Sequence, residues 1–158
     1  KEVFNQVRFP SGMNFEDSLT LPLILKNCQR VATTGMGLYY YCENPNGITR
    51  RATAEDLSCL LLAHVRAIIN FERKLSRRKD KKEWEKDMGT YYAHVLNIQF
   101  DVYDKSGRFF VKSRNRRKSN IKYRFPILPY RNTFKLKLLH LLGIKRLCSL
   151  HRTFKRLS

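Results

Sequence analysis

The 158-residue sequence lacks any apolar run of about 18 or more residues, which excludes a membrane-spanning helix. It also lacks the pattern of a secretory signal peptide at its start. No Cys-x-x-Cys pair is present and no histidine stands at ligand spacing from a cysteine, so a zinc site is not expected. The four scattered cysteines are therefore expected to be reduced thiols in a cytosolic compartment, although their even number leaves disulfides open.

Acidic residues are missing from the last third of the chain. Residues 105–158 contain 17 lysines and arginines and no aspartate or glutamate, whereas residues 1–104 contain 15 basic and 13 acidic residues. Nearly all of the net charge of +19 therefore lies in this tail. Such asymmetry predicts that the tail faces an anionic surface, either nucleic acid or phospholipid headgroups.

The hydrophobic pattern predicts a mostly helical α+β chain in three parts. Residues 1–52 are predicted to hold a helix with Asn14 as its N-cap, followed by two short strands. Residues 53–104 have apolar residues at helical spacing on both sides of a short charged joint, which predicts two long antiparallel helices. Residues 105–158 are predicted to form a basic amphipathic tail, with Gly143 ending a short helix.

Two acids stand side by side at the predicted start of the first helix. Glu16 and Asp17 follow a Pro-Ser-Gly turn and precede an apolar run. Carboxylates in a first helical turn interact favourably with the helix dipole, so a structural cap explains the pair. A general base must also be ionised and fixed in orientation, so the same placement suits catalysis. The residues alone leave both interpretations open.

The stretch around this pair, residues 8–51, resembles the second half of the catalytic domain of family 2 glycosyltransferases, which are inverting, nucleotide-sugar-dependent enzymes with a GT-A fold. The shared motifs occur in the family's order: "FPSG" at 9–12, "ED" at 16–17, "LYYY" at 38–41 and "NGIT" at 46–49. The two long helices and the basic tail are similar to the C-terminal extension of bacterial members that build capsule or lipopolysaccharide sugars. The resemblance implies the C-terminal portion of a GT-A α/β domain, with a helix and short strands, followed by a helical hairpin and a basic helical tail.

The resemblance also implies roles for individual residues. Asp17, the second acid of the pair, matches the base that deprotonates the acceptor hydroxyl, and Glu16 would shape the site. Two further pairs are candidates for weaker roles: Arg50 and Arg51 on the donor diphosphate, and Tyr39 and Tyr41 in packing or acceptor stacking. Guanidinium groups suit phosphate geometry, although solvated surface arginines are the commoner outcome.

The family's nucleotide-binding half, with an Asp-x-Asp element for a divalent Mg or Mn ion, is not contained in this sequence. The acids of "DVYD" at 101–104 have the wrong spacing, so no metal ligands are assigned in this chain. The chain is expected to be the C-terminal part of a larger transferase and to be inactive alone. The implied parent uses a nucleotide sugar and a glycan acceptor and is cytoplasmic, at the inner face of the membrane.

The C-terminal residues predict a basic amphipathic helix that suits an anionic membrane surface. Its apolar side carries leucines and a phenylalanine, and most of its cations fall elsewhere: Arg146, Arg152, Lys155 and Arg156. Docking of the same helix on its own protein is an equal alternative.

A nucleic-acid-binding module is the main rival function, because residues 108–125 interleave basic and aromatic side chains. The glycosyltransferase resemblance favours lipid, while a plain helical interaction domain and oligomerisation stay open.

The four histidines fall into two groups. His64 and His94 lie within the apolar faces of the two long helices and are predicted to be core residues with hydrogen-bond partners. His140 and His151 lie in the basic tail and are predicted to add partial positive charge.

Overall fold

The computed structural model describes residues 2–75, 81–109 and 125–157, and every regular element in these ranges is helical. A short 3₁₀ turn, Glu2–Phe4, comes first. Five α-helices follow: α1 (Glu16–Asn27), α2 (Ile48–Arg51), α3 (Ala54–Leu75), α4 (Lys81–Ser106) and α5 (Phe134–Leu157). Most of the basic stretch on which the nucleic-acid interpretation depends, residues 110–124, lies outside the described residues.

The centre of the fold is the pair of long helices α3 and α4, which lie where the sequence pattern places two helices. They run antiparallel, since Lys105 near the end of α4 donates a hydrogen bond to the carbonyl of Ala52 just before α3, at 2.7 Å. Apolar residues three and four apart give each helix one face to bury. The buried side chains that meet there include Leu61, Val65, Ile68, Val95 and Leu96.

A second layer covers the opposite side of α4. The ring of Tyr92 on α4 stacks on Phe125 with centroids 5.8 Å apart. Its hydroxyl donates to the carbonyl of Pro126 and accepts the N–H of Leu128, so the only polar atom of this fully buried ring is satisfied. Because α4 is covered on two sides, it is the helix on which the rest of the described core is built.

The helix α5 completes this layer and is broken at Gly143. Leu136 and Leu139 before the break and Leu147 after it belong to the same core as α4. Gly143 has φ +73° and ψ 165°, a conformation that side-chain-bearing residues rarely adopt. The sequence predicts Gly143 as the end of a helix, and helical geometry does stop there, but a second helical segment restarts immediately.

The α+β class predicted from the sequence is wrong for the described residues, which contain no strand. The segment expected to form two strands, residues 29–46, is irregular and exposed along its whole length. Tyr39, Tyr40 and Tyr41 are between 73% and 86% exposed. A strand exists only when a neighbouring strand takes up its N–H and C=O groups, and no described segment does so here.

The start of α1 also differs from the prediction. The helix begins at Glu16, and Phe15 occupies the cap position with φ +60°, without a side-chain cap. Asn14, the predicted cap, instead donates its amide to Oδ1 of Asp56 at 2.6 Å. Asp56 belongs to a capping box at the start of α3, where its Oδ2 accepts the N–H and the hydroxyl of Thr53. A local sequence rule could not anticipate a partner 42 positions away.

This capping box predicts a pH-dependent contribution to stability. Partial burial raises the pKa of Asp56, but hydrogen bonds from Thr53 and Asn14 hold it below its ordinary value of 3.8. The folded state therefore favours the ionised form, and the stabilisation is complete above pH 3.8 and is lost as pH falls through the folded-state pKa. We expect Asp56→Ala to lower the free energy of unfolding at pH 7 by about 0.5–2 kcal/mol.

Urea titrations at several pH values measure this effect. Glu55→Gln is the matched control, because it neutralises the neighbouring acid of the same helical turn and leaves the capping box intact. A loss of stability as large in Glu55→Gln as in Asp56→Ala would contradict the role assigned to Asp56.

Candidate functional site

The Asp17 side chain is exposed in the first turn of α1, beside half-buried Glu16. Its Oδ1 accepts the backbone N–H of Ser18 at 2.7 Å, and the Ser18 hydroxyl lies 3.4 Å away. The positive end of the helix dipole favours a negative charge here, by roughly 0.3–1 kcal/mol. The carboxylate is thus oriented by the backbone and remains open to solvent.

The position of Asp17 is fixed by packing of α1 against α3. The hydrogen bond between Asn14 and Asp56 joins the approach to α1 with the first turn of α3. Thr20, one turn beyond Asp17, is buried, and its hydroxyl is satisfied by the carbonyl of Glu16 at 2.7 Å. The start of α1 therefore has a defined place on the surface of α3.

An open cleft of about 290 Å³ lies beside the turn that leads into α1. It is lined by Gly12, Met13, Asn14, Glu55, Asp56 and Cys59. Carboxylate and amide groups of this kind accept and donate the hydrogen bonds that sugar hydroxyls form. The cleft thus offers a polar surface a few residues from Asp17 along the chain.

A histidine–tyrosine cluster lies between α3 and α4. Nδ1 of His64 is 2.8 Å from the hydroxyl of Tyr91. The rings of His64 and His94 meet edge to face with centroids 5.5 Å apart. His64 has the predicted hydrogen-bond partner but is half-buried rather than a core residue, and His94 is exposed.

Electrostatics connect this cluster with Asp17. Burial lowers the pKa of His64, the neighbouring His94 lowers it further, and the carboxylate of Asp17 raises it. Burial raises the pKa of Tyr91 to about 12. At pH 7 the 2.8 Å contact therefore joins a neutral imidazole to a neutral phenol, close enough to Asp17 to be affected by its charge.

The other residues predicted for the transferase site are not joined to Asp17. Arg50 pairs with Glu43 at 3.2 Å on the surface, and Arg51 is exposed in α2. The rings of Tyr39 and Tyr41 have their centroids 6.5 Å apart on the irregular segment. Within the described ranges, no hydrogen bond, ion pair or ring contact links any of these four side chains to Asp17.

The predicted membrane-surface cations divide into two groups. Lys155 bonds Asp104 at 3.0 Å and lies 3.9 Å from Asp101, and the guanidinium of Arg152 lies over the ring of Tyr103 at 5.7 Å. Arg146 and Arg156, in contrast, are exposed and have no hydrogen bond or ion pair in the described part of the chain. Two of the four predicted cations therefore attach α5 to α4.

Both histidines of the tail are half-buried. The ring of His151 stacks on Phe100 with centroids 4.2 Å apart, and its Nδ1 is 3.7 Å from Asp104. His140 is half-buried on α5, and its Nε2 is buried without a hydrogen-bond partner among the described residues. Whether either adds charge to the tail stays a prediction.

The described residues contain no group of three or more His, Cys, Asp or Glu side chains arranged to hold a metal ion. The residues present in these ranges thus do not fit the Mg or Mn site that the glycosyltransferase resemblance implies for the parent enzyme, and no chemical step is assigned to a metal here. In the same ranges, no helix combines the length and apolarity needed to cross a bilayer.

Comparison of the chain with protein-family models, with curated proteins and with solved structures finds no match. No relative therefore indicates what the site does, and its chemistry is inferred from its own residues. The sequence pattern does not reveal that the charge of Asp17 acts on His64 or that His64 contacts Tyr91. The sequence does contain one sign of this contact. A polar residue stands within the apolar face of each of two helices that are expected to pack against one another.

The coupling of Asp17 to His64 gives a testable prediction. We expect Asp17→Asn to lower the pKa of His64 further, because it removes the carboxylate that favours the imidazolium. A titration of the imidazole resonances by NMR measures this shift. Glu16→Gln is the control and should leave the pKa of His64 unchanged.

An unchanged or raised His64 pKa in Asp17→Asn would contradict the proximity of the two groups. The folded-state pKa of His64 lies below its ordinary value of 6.5. The unfolded chain therefore binds more protons in the window between those two values, and stability falls as pH drops through it.

Proposed function

We propose that this chain supplies the acceptor side of an inverting, nucleotide-sugar-dependent glycosyltransferase, with Asp17 as general base. The observation that carries the proposal is the Asp17 carboxylate, which is exposed and oriented by the N–H of Ser18. A polar cleft that includes Asn14 lies a few residues before it along the chain. The resemblance of residues 8–51 to family 2 enzymes supplies the reaction class. A capsule or lipopolysaccharide-type glycan is the acceptor that this resemblance implies.

The proposed step is a single displacement. An acceptor hydroxyl attacks the anomeric carbon of the donor sugar from the face opposite the nucleoside diphosphate, and configuration inverts. The carbon–oxygen bond to the diphosphate breaks, the new glycosidic bond forms, and the hydroxyl proton passes to Asp17. A positioned base is needed because a neutral hydroxyl is a weak nucleophile until its proton is removed.

The surroundings of Asp17 support this role in two ways. Open access permits an acceptor to reach the carboxylate, which a buried structural cap would prevent. The hydrogen bond from the N–H of Ser18 fixes the orientation of the carboxylate, which a general base requires. Glu16, half-buried in the same turn, acts as a supporting residue rather than a second base.

The transferase proposal predicts a large effect of one substitution. In the longest open reading frame that encodes this chain, we expect Asp17→Asn to reduce sugar transfer by about 10²–10⁴-fold, the usual contribution of a general base. Release of nucleoside diphosphate from a panel of nucleotide sugars, with glycan acceptors present, measures transfer. Far-UV circular dichroism reports whether the variant keeps its helices.

Asp87→Asn is the matched control, since it neutralises an exposed acid on α4 and should retain full activity. If Asp17→Asn kept at least a third of wild-type turnover, Asp17 would be only a structural acid, as the helical interaction module requires. Sugar-nucleotide hydrolysis by the purified 158-residue chain alone would contradict the assignment to the acceptor side only.

We also propose that the protein works at the inner face of a membrane, bound peripherally to anionic lipid. On the second half of α5, Leu150, Phe154 and Leu157 recur at helical spacing, and the latter two are 64% and 80% exposed. Arg146 lies one turn before Leu150 on the same face, whereas Arg156 lies about 100° round the helix from Leu157. Both are exposed and have no acidic partner in the described ranges. Exposed apolar residues flanked by cations are typical of helices that lie in a lipid interface.

Vesicle binding tests the membrane proposal. We expect replacement of both Phe154 and Leu157 by serine to weaken binding to phosphatidylglycerol-containing vesicles at least about tenfold, because the apolar contact is removed. Flotation with anionic and neutral vesicles measures binding. The control variant replaces Val31 and Leu38, two exposed apolar residues of the irregular segment, by serine.

The nucleic-acid alternative makes the opposite prediction. Binding to a single-stranded oligonucleotide that survives moderate salt, with no flotation on anionic vesicles, would reverse the preference for lipid. Equal loss of flotation in the serine variant and in the control would show that the α5 stripe is not the contact surface.

A further inference from the structure

The break at Gly143 opens a groove between α5 and the loop segments beside it. The groove has a volume of about 490 Å³, within the range of small-molecule sites. Its lining comprises Phe109, Phe125, Ile127, Leu142, Gly143, Ile144, Lys145 and Arg146. Five of these eight residues carry apolar side chains, and two carry cations.

The apolar part of the groove is preformed. Phe125 is buried and held by stacking on Tyr92, which fixes one wall. Ile127, two residues further along the same segment, also lines the groove and is 50% exposed, so a large apolar side chain faces water there. Among the described residues, no atom lies within 4 Å of the place where a Cβ at Gly143 would stand, so the break is not filled by them.

The charged part of the groove lies where the second half of α5 begins. Lys145 and Arg146 are exposed, and within the described ranges neither has a hydrogen bond or an ion pair. Because the helix restarts after Gly143, its positive dipole end is located at the same place. The groove therefore combines five apolar side chains with two cations.

We propose that this groove binds one anionic membrane phospholipid, with an acyl chain along Phe109, Phe125 and Ile127 and the phosphate on Lys145 and Arg146. Charge complementarity identifies the occupant, since an acyl chain attached to a phosphodiester matches both parts of the groove. The groove has two aromatic side chains, Phe109 and Phe125, and three aliphatic ones. An acyl chain contacts both kinds, whereas a base stacks on the aromatic rings and leaves the aliphatic side chains without a partner. The exposed stripe of Leu150, Phe154 and Leu157 continues along the same helix and would place the groove at a bilayer.

Monomeric lipid provides the test. Dihexanoyl phosphatidylglycerol, kept below its micelle concentration, is titrated into the protein and followed by NMR shifts of groove residues. We expect saturable binding that weakens at least fivefold in Ile127→Asp, with Ile127→Ser as a milder second variant. The double variant K145Q/R146Q should weaken binding about tenfold or more, since each cation near an anionic headgroup contributes about fivefold.

Matched controls separate the groove from the rest of α5. Leu141→Asp removes an exposed apolar residue of the same helix outside the groove, and Lys137→Gln removes an exposed cation; both should bind lipid as the wild type does. Glycerol phosphate and inorganic phosphate are titrated in parallel. Equally tight binding of these two anions would overturn the proposal, because the acyl chain would then add nothing.

The proposal stands apart from the transferase reaction and from general membrane association. Flotation on anionic vesicles without any binding of the monomeric lipid would refute the groove while leaving the membrane proposal intact. Displacement of the lipid by a single-stranded oligonucleotide at moderate salt would also overturn it. Loss of activity in Asp17→Asn has no bearing on the groove, so the two proposals fail separately.

Discussion

Burial of α4 on two sides is the constraint on which the rest of the described structure depends. α3 covers one side, and the segment from Phe125 to Tyr130 together with α5 covers the other. A helix buried on two sides must satisfy every polar atom that it buries. The ring of Tyr92 is enclosed, and its hydroxyl forms hydrogen bonds with two backbone groups of the covering segment. Burying apolar surface at about 25 cal/mol per Å² makes such a two-sided helix the main source of stability.

The candidate site lies at the edge of this arrangement rather than within it. In the described residues α1 packs against α3 and the short 3₁₀ turn, and Asn14 fastens its approach to Asp56. An edge position leaves Asp17 accessible, while the capping box at Thr53 and Asp56 keeps its support rigid. The same bonds that stabilise the start of α3 thus determine where the carboxylate of Asp17 stands.

The spacing of apolar residues correctly predicts α3 and α4. Apolar residues that recur every three to four positions indicate a helix whatever packs against it. The spacing also identifies Asp17 as a first-turn acid. The same spacing cannot show whether a strand forms. The aromatic run at Tyr39–Tyr41 has the composition of a strand, but no described segment pairs with it. The bond from Asn14 to Asp56 and the approach of His64 to Tyr91 link positions 42 and 27 residues apart, which local rules do not reach.

The scarcity of acids explains which cations of the tail face outward. Residues 105–158 contain no acid, so any ion pair that holds α5 must use a carboxylate from elsewhere in the chain. Asp101 and Asp104 of α4 supply it to Lys155, and the hydrogen bond to Asp104 raises the pKa of Lys155. Arg146 and Arg156 have no such acid within reach in the described ranges. The surface charge proposed to meet an anionic lipid therefore comes from the cations of α5 that the two acids of α4 do not reach.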